Sequence, residues 1–304
     1  MPLDFSQRVA IVTGAGGGLG REHALALAAR GARVVVNDLG GAVDGTGGGV
    51  GAAQAVVDEI RATGGEAVAN AASVTDPAAV EQLVQQAIGT WGRLDILVSN
   101  AGILRDKTFA KMDLADFRQV LDVHLMGAVH LCKAAWPHLV ERRYGRIVLT
   151  TSSTGLYGNF GQSNYGAAKL ALVGFMQTLA LEGRRHGIHV NCIAPTATTR
   201  MTENLFPPDM REPFAPRAVV PAMLVLAAES APTRTILCAG AGAFEAAHIT
   251  LTRGIHLGDG ADTDEQLAAR LAEVVDRGTG EIVPDSGSVQ GAHEMGLVRA
   301  HRAG

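Results

Sequence analysis

Short, nearly continuous apolar runs alternate with longer stretches in which apolar residues recur at helical spacing. The runs are Arg8–Thr13 (RVAIVT), Arg33–Asp38 (RVVVND), Glu66–Ala71, Leu94–Ser99 (LDILVS), Tyr144–Thr151 (YGRIVLTT) and Ile188–Ile193 (IHVNCI), with Ile236–Ala239 (ILCA) as a seventh. Runs of this kind are the signature of strands covered on both faces. Between them lie helical patterns at Arg21–Arg30, Ala52–Thr63, Pro77–Trp91, residues 113–136 and residues 163–184. The helix at 113–136 carries Phe117, Val120, Leu121, Ala128, Leu131 and Ala135 on one stripe. The alternation predicts parallel β-α-β units, and right-handed crossovers then give an α/β, Rossmann-type doubly wound sheet with helices on both faces. Ligands of such sheets sit beyond the carboxyl ends of the strands.

The regular pattern breaks past residue 206, where Pro207, Pro208, Pro213 and Pro216 punctuate an irregular stretch placed to cover a site. Residues 1–242 are therefore expected to form the main domain and residues 243–304 a C-terminal extension. The extension contains one helical pattern, Asp264–Val275, with Thr263 and Gln266 spaced as a capping box. The stretch GTGEIVPDSGSVQG reads as loop or short ribbon, and the last residues as mobile.

Composition narrows the class. Small and aliphatic residues dominate, with 38 glycines and few aromatics, which suits alanine-rich helices packed closely on a sheet. The formal charge is −4, and no basic run is long enough for nucleic acid or an anionic membrane. The start, MPLDFSQRVA, lacks a basic region followed by an apolar one, so neither a secretory signal nor a membrane span is expected. Cys132, Cys192 and Cys238 lie far apart, without metal spacing, and read as reduced thiols of a cytoplasmic protein.

Two glycine-rich loops follow the first two strands. Thr13–Gly20 (TGAGGGLG) joins a strand to a helix, where glycines let the backbone approach a pyrophosphate and the helix terminus offers N–H groups. Asp38 ends the second strand, where a carboxylate accepts hydrogen bonds from ribose hydroxyls and repels a 2′-phosphate, favouring NAD over NADP. The second loop, Gly40–Gly51 (GGAVDGTGGGVG), is too long for a tight phosphate turn. It reads as a flexible loop near the adenosine end, with a second phosphate cradle as the alternative.

Two of the three tyrosines fall in SSTGLYGNFGQSNYGAAK, residues 152–169. Tyr165 has Lys169 four residues later on the same helical face, whereas Tyr157 sits among glycines that read as loop. A phenol ionises at about pH 10, and each tenfold change in that equilibrium takes about 1.4 kcal/mol. A neighbouring ammonium works in that direction by stabilising the phenolate. Lysine is scarce, four residues against 22 arginines, and unlike Arg it can give up a proton. Ser152 lies where the fifth strand ends and can hold a substrate oxygen against Tyr165; Ser153, next along the strand, should point the other way.

These residues resemble the short-chain dehydrogenase/reductase family, through Thr13-Gly14-x-x-x-Gly18-x-Gly20, Asn100-Ala101-Gly102, Ser152 and Tyr165-x-x-x-Lys169. The resemblance covers about residues 5–242. It implies a seven-stranded parallel sheet, a Ser–Tyr–Lys catalytic group and direct hydride transfer. It also implies cofactor contacts from Gly14, Gly17, Gly18, Leu19, Gly20, Asp38, Ser73, Val74, Asn100, Ala101, Gly102, Tyr165, Lys169, Pro195, Thr196 and Thr199. Two positions depart from the family pattern: Ser73 stands for the usual Asp, and Pro195-Thr196 for the frequent Pro-Gly. Where the family usually has an Asn in its proton relay, this chain has His124, which is either a core histidine or its replacement in the relay.

Longer segments, among them VVVNDLGG, NAGILRDKTFAKM, GLYGNFGQSNYGAAK and IAPTATTRMT, resemble the dehydrogenase part of the peroxisomal multifunctional enzymes type 2. That resemblance implies NAD-dependent oxidation of (3R)-3-hydroxyacyl-CoA in β-oxidation, a homodimer or homotetramer, and an extension packed on the domain or its dimer partner. The final HRAG is no peroxisomal address, so a stand-alone cytoplasmic form is expected. Hydroxysteroid dehydrogenases of the 17β type and 3-ketoacyl thioester reductases remain alternatives. Arg105, Lys107, Arg200 and Arg211 are the candidate contacts for coenzyme A phosphates.

Overall fold

The computed structural model describes residues 3–202, 207–278 and 280–303. In chain order it has β1 Val9–Thr13, α1 Gly18–Ala28, β2 Arg33–Asn37, α2 Gly51–Ala62, β3 Ala67–Asn70, α3 Pro77–Trp91 and β4 Ile96–Ser99. Next come α4 Leu114–Leu121, α5 Gly127–Arg142, β5 Gly145–Thr150, α6 Ser153–Tyr157, α7 Ser163–Gly183 and β6 Ile188–Pro195. Then follow α8 Pro208–Arg211, α9 Val220–Ala227, β7 Ile236–Gly240, β8 Ala243–Ala247 and β9 Leu251–Thr252. The chain closes with α10 Thr263–Ala269, α11 Leu271–Val274, β10 Glu281–Ile282 and α12 Ser288–Ala303.

The main sheet has the order β3-β2-β1-β4-β5-β6-β7-β8. The pairings from β3 through β7 are parallel, as the apolar runs predict. Val12 stands between Val36 on β2 and Val98 on β4, and every residue of β1 and β5 is buried. Ala10, Val12, Val34, Val36, Ile96 and Val98 pack under α1, α2 and α9. The alternate residues Ile11, Val35, Leu97 and Ile147 are equally buried and face α3, α5 and α7. Strand order reverses between β1 and β4, so a crevice opens at their carboxyl ends.

The seven parallel strands expected are present, and an eighth strand extends the sheet. Ala241 and Gly242 both take positive φ, the two-residue turn that returns a strand antiparallel, and β8 adds to the edge. The helix expected at 113–136 is broken: residues 122–126 form a π-helical turn between α4 and α5, with His124 inside it. Such turns take in an extra residue and re-aim the side chain they carry. Residues 153–157, read as loop, form the short α6, which Ser152 caps by accepting from the Thr154 amide. The proline-rich stretch ends in the unforeseen α9, whose apolar residues lie against α1.

By its contacts the chain divides into Met1–Ala246 and Ala247–Gly304. The second unit holds a two-stranded antiparallel ribbon, β9 with β10, and three helices. The helix read at 264–275 is interrupted at Arg270, and its N-cap is Asp262, not Thr263. Gln266 reaches Asp262 instead, its Nε2 donating to Oδ2 at 2.9 Å. The terminal residues read as mobile form α12.

Candidate active site

A cavity of about 630 Å³ opens at the carboxyl ends of the strands. Its floor is the junction of β1 and β4. Asn100 donates through Nδ2 to the carbonyls of Thr13 and Gly14, both at 3.1 Å, and the Thr13 hydroxyl accepts from the amides of Asn100 and Ala101. A Cβ on Gly14 would lie 2.7 Å from the Ala101 backbone, and one on Gly20 would lie 2.2 Å from the Gly14 carbonyl. Only glycine allows these approaches, which set the start of α1 against both strands.

Gly17 caps α1 without any side-chain hydrogen bond, so the first amides of that helix keep their donors for a ligand. Gly17, Gly18 and Leu19 line the cavity, and Thr199 from the segment after β6 approaches Gly18. Asp38 accepts from the Gly16 amide at 2.7 Å and from the Gly40 amide at 2.6 Å, which leaves lone pairs on both oxygens. Ser73, Val74, Gly102, Pro195 and Thr196 line the same space. Uncapped amides, a close-packed glycine turn and a carboxylate at the end of β2 fit the pyrophosphate and ribose of a dinucleotide.

The second glycine loop is not a free segment near the adenosine end. Gly41, Ala42, Val43 and Gly45 line the cavity, and the loop is tied internally by the Gly49 amide to the Leu39 carbonyl at 2.7 Å. The Leu104 amide donates to the Val43 carbonyl, and Arg105 donates through Nε and Nη2 to that of Asp44. Arg105 also pairs with Asp116 at 2.6 Å, as Lys107 does at 3.4 Å. Arg105 is therefore committed to the loop's support and Lys107 to Asp116, and Arg211 is engaged as well. Of the four cations proposed for coenzyme A phosphates, only Arg200 lines the cavity, and its guanidinium lies beside Gly17 of the cofactor loop.

Ser152, Tyr165 and Lys169 meet in this cavity. Tyr157 does not join them; it is 73% exposed at the end of α6. Ser153 reaches the lining but is exposed, while Ser152 is buried and hydrogen-bonds the Tyr165 phenol. The Lys169 ammonium donates to the Thr150 carbonyl at 2.5 Å and lies 5.5 Å from the centre of the Tyr165 ring. Burial brings Lys169 down to about 7. Burial also raises the Tyr165 phenol; the Ser152 hydrogen bond pulls it back, and the nearby Asp106 carboxylate pushes it up. The sequence predicts that Lys169 draws the phenol down. In the protein alone, desolvation is the largest influence on each and moves both groups toward their neutral forms.

His124 packs edge-on against Tyr165, ring centres 5.1 Å apart. Its Nε2 lies 2.9 Å from the Ile103 carbonyl and 3.1 Å from the Ile103 amide, and Nδ1 has no partner among the described residues. Burial, and then the Lys169 charge, hold its pKa well below the ordinary value, so the ring is neutral. A neutral ring bonded through one nitrogen presents the other as a free donor or acceptor. The described residues contain no cluster of ligands for a metal ion and no helix long and apolar enough to cross a membrane.

A family profile for short chain dehydrogenase matches residues 8–209. The chain belongs to the short-chain dehydrogenase/reductase family. It is an enzyme of that family, and relatives of known kind surround it. It is 49% identical over 270 residues to a short-chain type dehydrogenase/reductase of Mycobacterium tuberculosis, covering 88% of this chain and 94% of the other. It is 53% identical to the peroxisomal multifunctional enzyme type 2 of Mus musculus, over 75% of this chain but 31% of that one. This short-chain dehydrogenase thus spans about a third of that relative. The solved full-length multifunctional enzyme type 2 of Drosophila melanogaster superposes with a TM-score of 0.81 at 35% identity, over 98% of this chain and half of the other. A 7α-hydroxysteroid dehydrogenase complexed with NADH and 7-oxo glycochenodeoxycholic acid matches at 0.71 and 30% identity, over 79% and 95%.

Among the lining residues that escape a sequence reading of this dehydrogenase as parts of the site are Asp106 and Gln162. They come from separate loops 56 positions apart, and only the fold joins them.

Proposed function

We propose that this dehydrogenase oxidises (3R)-3-hydroxyacyl-CoA to 3-ketoacyl-CoA with NAD. The observation that carries the proposal is the meeting of Ser152, Tyr165 and Lys169 beside an uncapped glycine turn in one cavity. The identity to multifunctional enzymes over the dehydrogenase segment supports the acyl-CoA substrate, and a neighbour complexed with NADH supports the cofactor. Asp38 favours NAD because its carboxylate repels a 2′-phosphate.

In this reading the Ser152 hydroxyl orients the substrate alcohol and Tyr165 removes its proton. Lys169 stabilises the phenolate and passes the proton on, and His124 Nδ1 offers the next hydrogen-bonding position. NAD, when bound, accepts the hydride. Gly14, Gly17–Gly20, Asp38, Ser73, Val74, Asn100–Gly102, Pro195, Thr196 and Thr199 hold the cofactor. A homodimer or homotetramer, a cytoplasmic location and a place in β-oxidation complete the proposal. The C-terminal extension is proposed to pack on the domain or its dimer partner.

Purified protein with NAD and a (3R)-3-hydroxyacyl-CoA is expected to make NADH, and NADP to support much slower turnover. Tyr165→Phe should lower kcat by about 10²–10⁴-fold with NADH binding retained; an undiminished rate would exclude the mechanism. A second reading, oxidation of a steroid alcohol, is favoured by the hydroxysteroid dehydrogenase neighbour, and a steroid panel in the same assay separates the two. Reduction of a 3-ketoacyl thioester is the third, favoured by 44% identity to a 3-oxoacyl-[acyl-carrier-protein] reductase of Synechocystis, and predicts a preference for NADPH instead.

A further inference from the structure

Asp106 is a carboxylate without a cation. It stands at the rim of the cavity that holds Ser152 and Tyr165. The flanking Arg105 and Lys107 both turn to Asp116 instead. Among the described residues its one side-chain partner is Gln162, whose Nε2 donates to Oδ2 at 2.6 Å. Gln162 is fixed in turn, its Oε1 accepting from the Thr154 hydroxyl and from Asn159 Nδ2, each at 3.0 Å. The Thr154 amide donates to Ser152 Oγ. The carboxylate thus sits on a bonded network that starts at Ser152, and its charge is felt at the Tyr165 phenol.

Among the described residues, no side-chain cation offsets it on the substrate side. Lys169 is held by the Thr150 carbonyl, His124 is neutral, and Arg200 lies by the cofactor loop. A 3-hydroxy acid and its thioester would bring the same alcohol to Tyr165. They differ two carbons away, where one carries a carboxylate and the other an uncharged carbonyl. A carboxylate there meets a like charge with no cation to bind it, whereas the thioester carbonyl can accept hydrogen bonds and suffers no repulsion.

We propose that Asp106 is a specificity-determining residue that rejects free hydroxy-acid carboxylates and admits uncharged acyl thioesters. The proposal rests on the hydroxyacyl reading given above. The phosphates of coenzyme A do not contradict it, because they lie a whole pantetheine arm from the reacting carbon, where salt screens the interaction.

The test compares kcat/KM for an N-acetylcysteamine thioester, which lacks those phosphates, with kcat/KM for the corresponding free (3R)-3-hydroxy acid. The wild type is expected to prefer the thioester strongly. In Asp106→Asn the preference should shrink by about 10-fold or more, the scale of one unit charge acting near a protein surface. Asn can still accept the Gln162 bond, so the network survives the change. Asp106→Glu, which restores the charge, should restore the preference. An unchanged ratio in Asp106→Asn, or equal shrinkage in both variants, overturns the proposal. If the wild type turns over no hydroxyacyl thioester, the acyl reading fails instead. Charge selection is then measured on a hydroxysteroid carboxylic acid against its methyl ester, and an unchanged ratio in Asp106→Asn would overturn it there too.

Discussion

Tyr165 and Lys169 share one buried environment, and their protons cannot be treated separately. Burial brings the ammonium to about 7 and raises the phenol, so the pair loses its first proton near neutrality from whichever partner holds it less tightly. Oxidation needs the deprotonated pair. The kcat/KM for the alcohol is therefore expected to rise with pH through an ionisation close to about 7 and then level. Lys169→Arg, which cannot give up its proton, should move that ionisation upward; a profile flat across the same window would contradict the coupling. The identities of these residues were legible because a four-residue spacing on a helix is a local signal. Asp106 was not legible, because its effect on Tyr165 depends on two loops brought together by the sheet. The upward pull of burial on the phenol was not legible for a related reason: sequence places a cation beside it but says nothing of the water removed from both.

The strands were legible as elements because the sheet is covered on both faces, so each carries an apolar run. The π-helical turn at 122–126 was not: five residues are too few to separate its period from that of an α-helix, and the stripe through Val120, Leu121 and Ala128 continues across it. The edge strand β8, AFEAA, also escaped, since it is mostly exposed and shows no alternation. At the opposite end of the sheet from the cavity, Asp95 fastens the start of β1 to β4. Its Oδ2 accepts from the Val9 amide at 2.9 Å, and Arg93 binds both its oxygens, while Arg8 lies 3.6 Å away. The side chain is fully buried. Asp95→Ala leaves a buried amide and two arginines without their acceptor and is expected to cost about 3–5 kcal/mol. Denaturant unfolding would measure it, and a loss below about 1 kcal/mol would mean that Asp95 acts like a surface ion pair.

For the whole molecule, acid is the expected weakness. His23 on α1 is completely buried and neither ring nitrogen has a partner among the described residues, so burial lowers its pKa from 6.5 to about 4. The unfolded chain binds that proton more readily. The stabilisation, about 3 kcal/mol, is fully present above pH 6.5 and is lost as pH falls toward about 4. His124, also buried and lowered, adds to the loss in the same direction. Thermal melts across that window should show a falling Tm, and His23→Leu should shrink the fall; an equal fall in both proteins would assign acid lability elsewhere. The Asp38 carboxylate carries a consequence for anyone redesigning coenzyme choice. It joins the two glycine loops, and the second loop runs on through Leu104 and Arg105 to Asp116. Exchanging that carboxylate to welcome a phosphorylated ribose would also slacken the wall of the substrate chamber, so altered coenzyme taste and weakened substrate grip should arrive together.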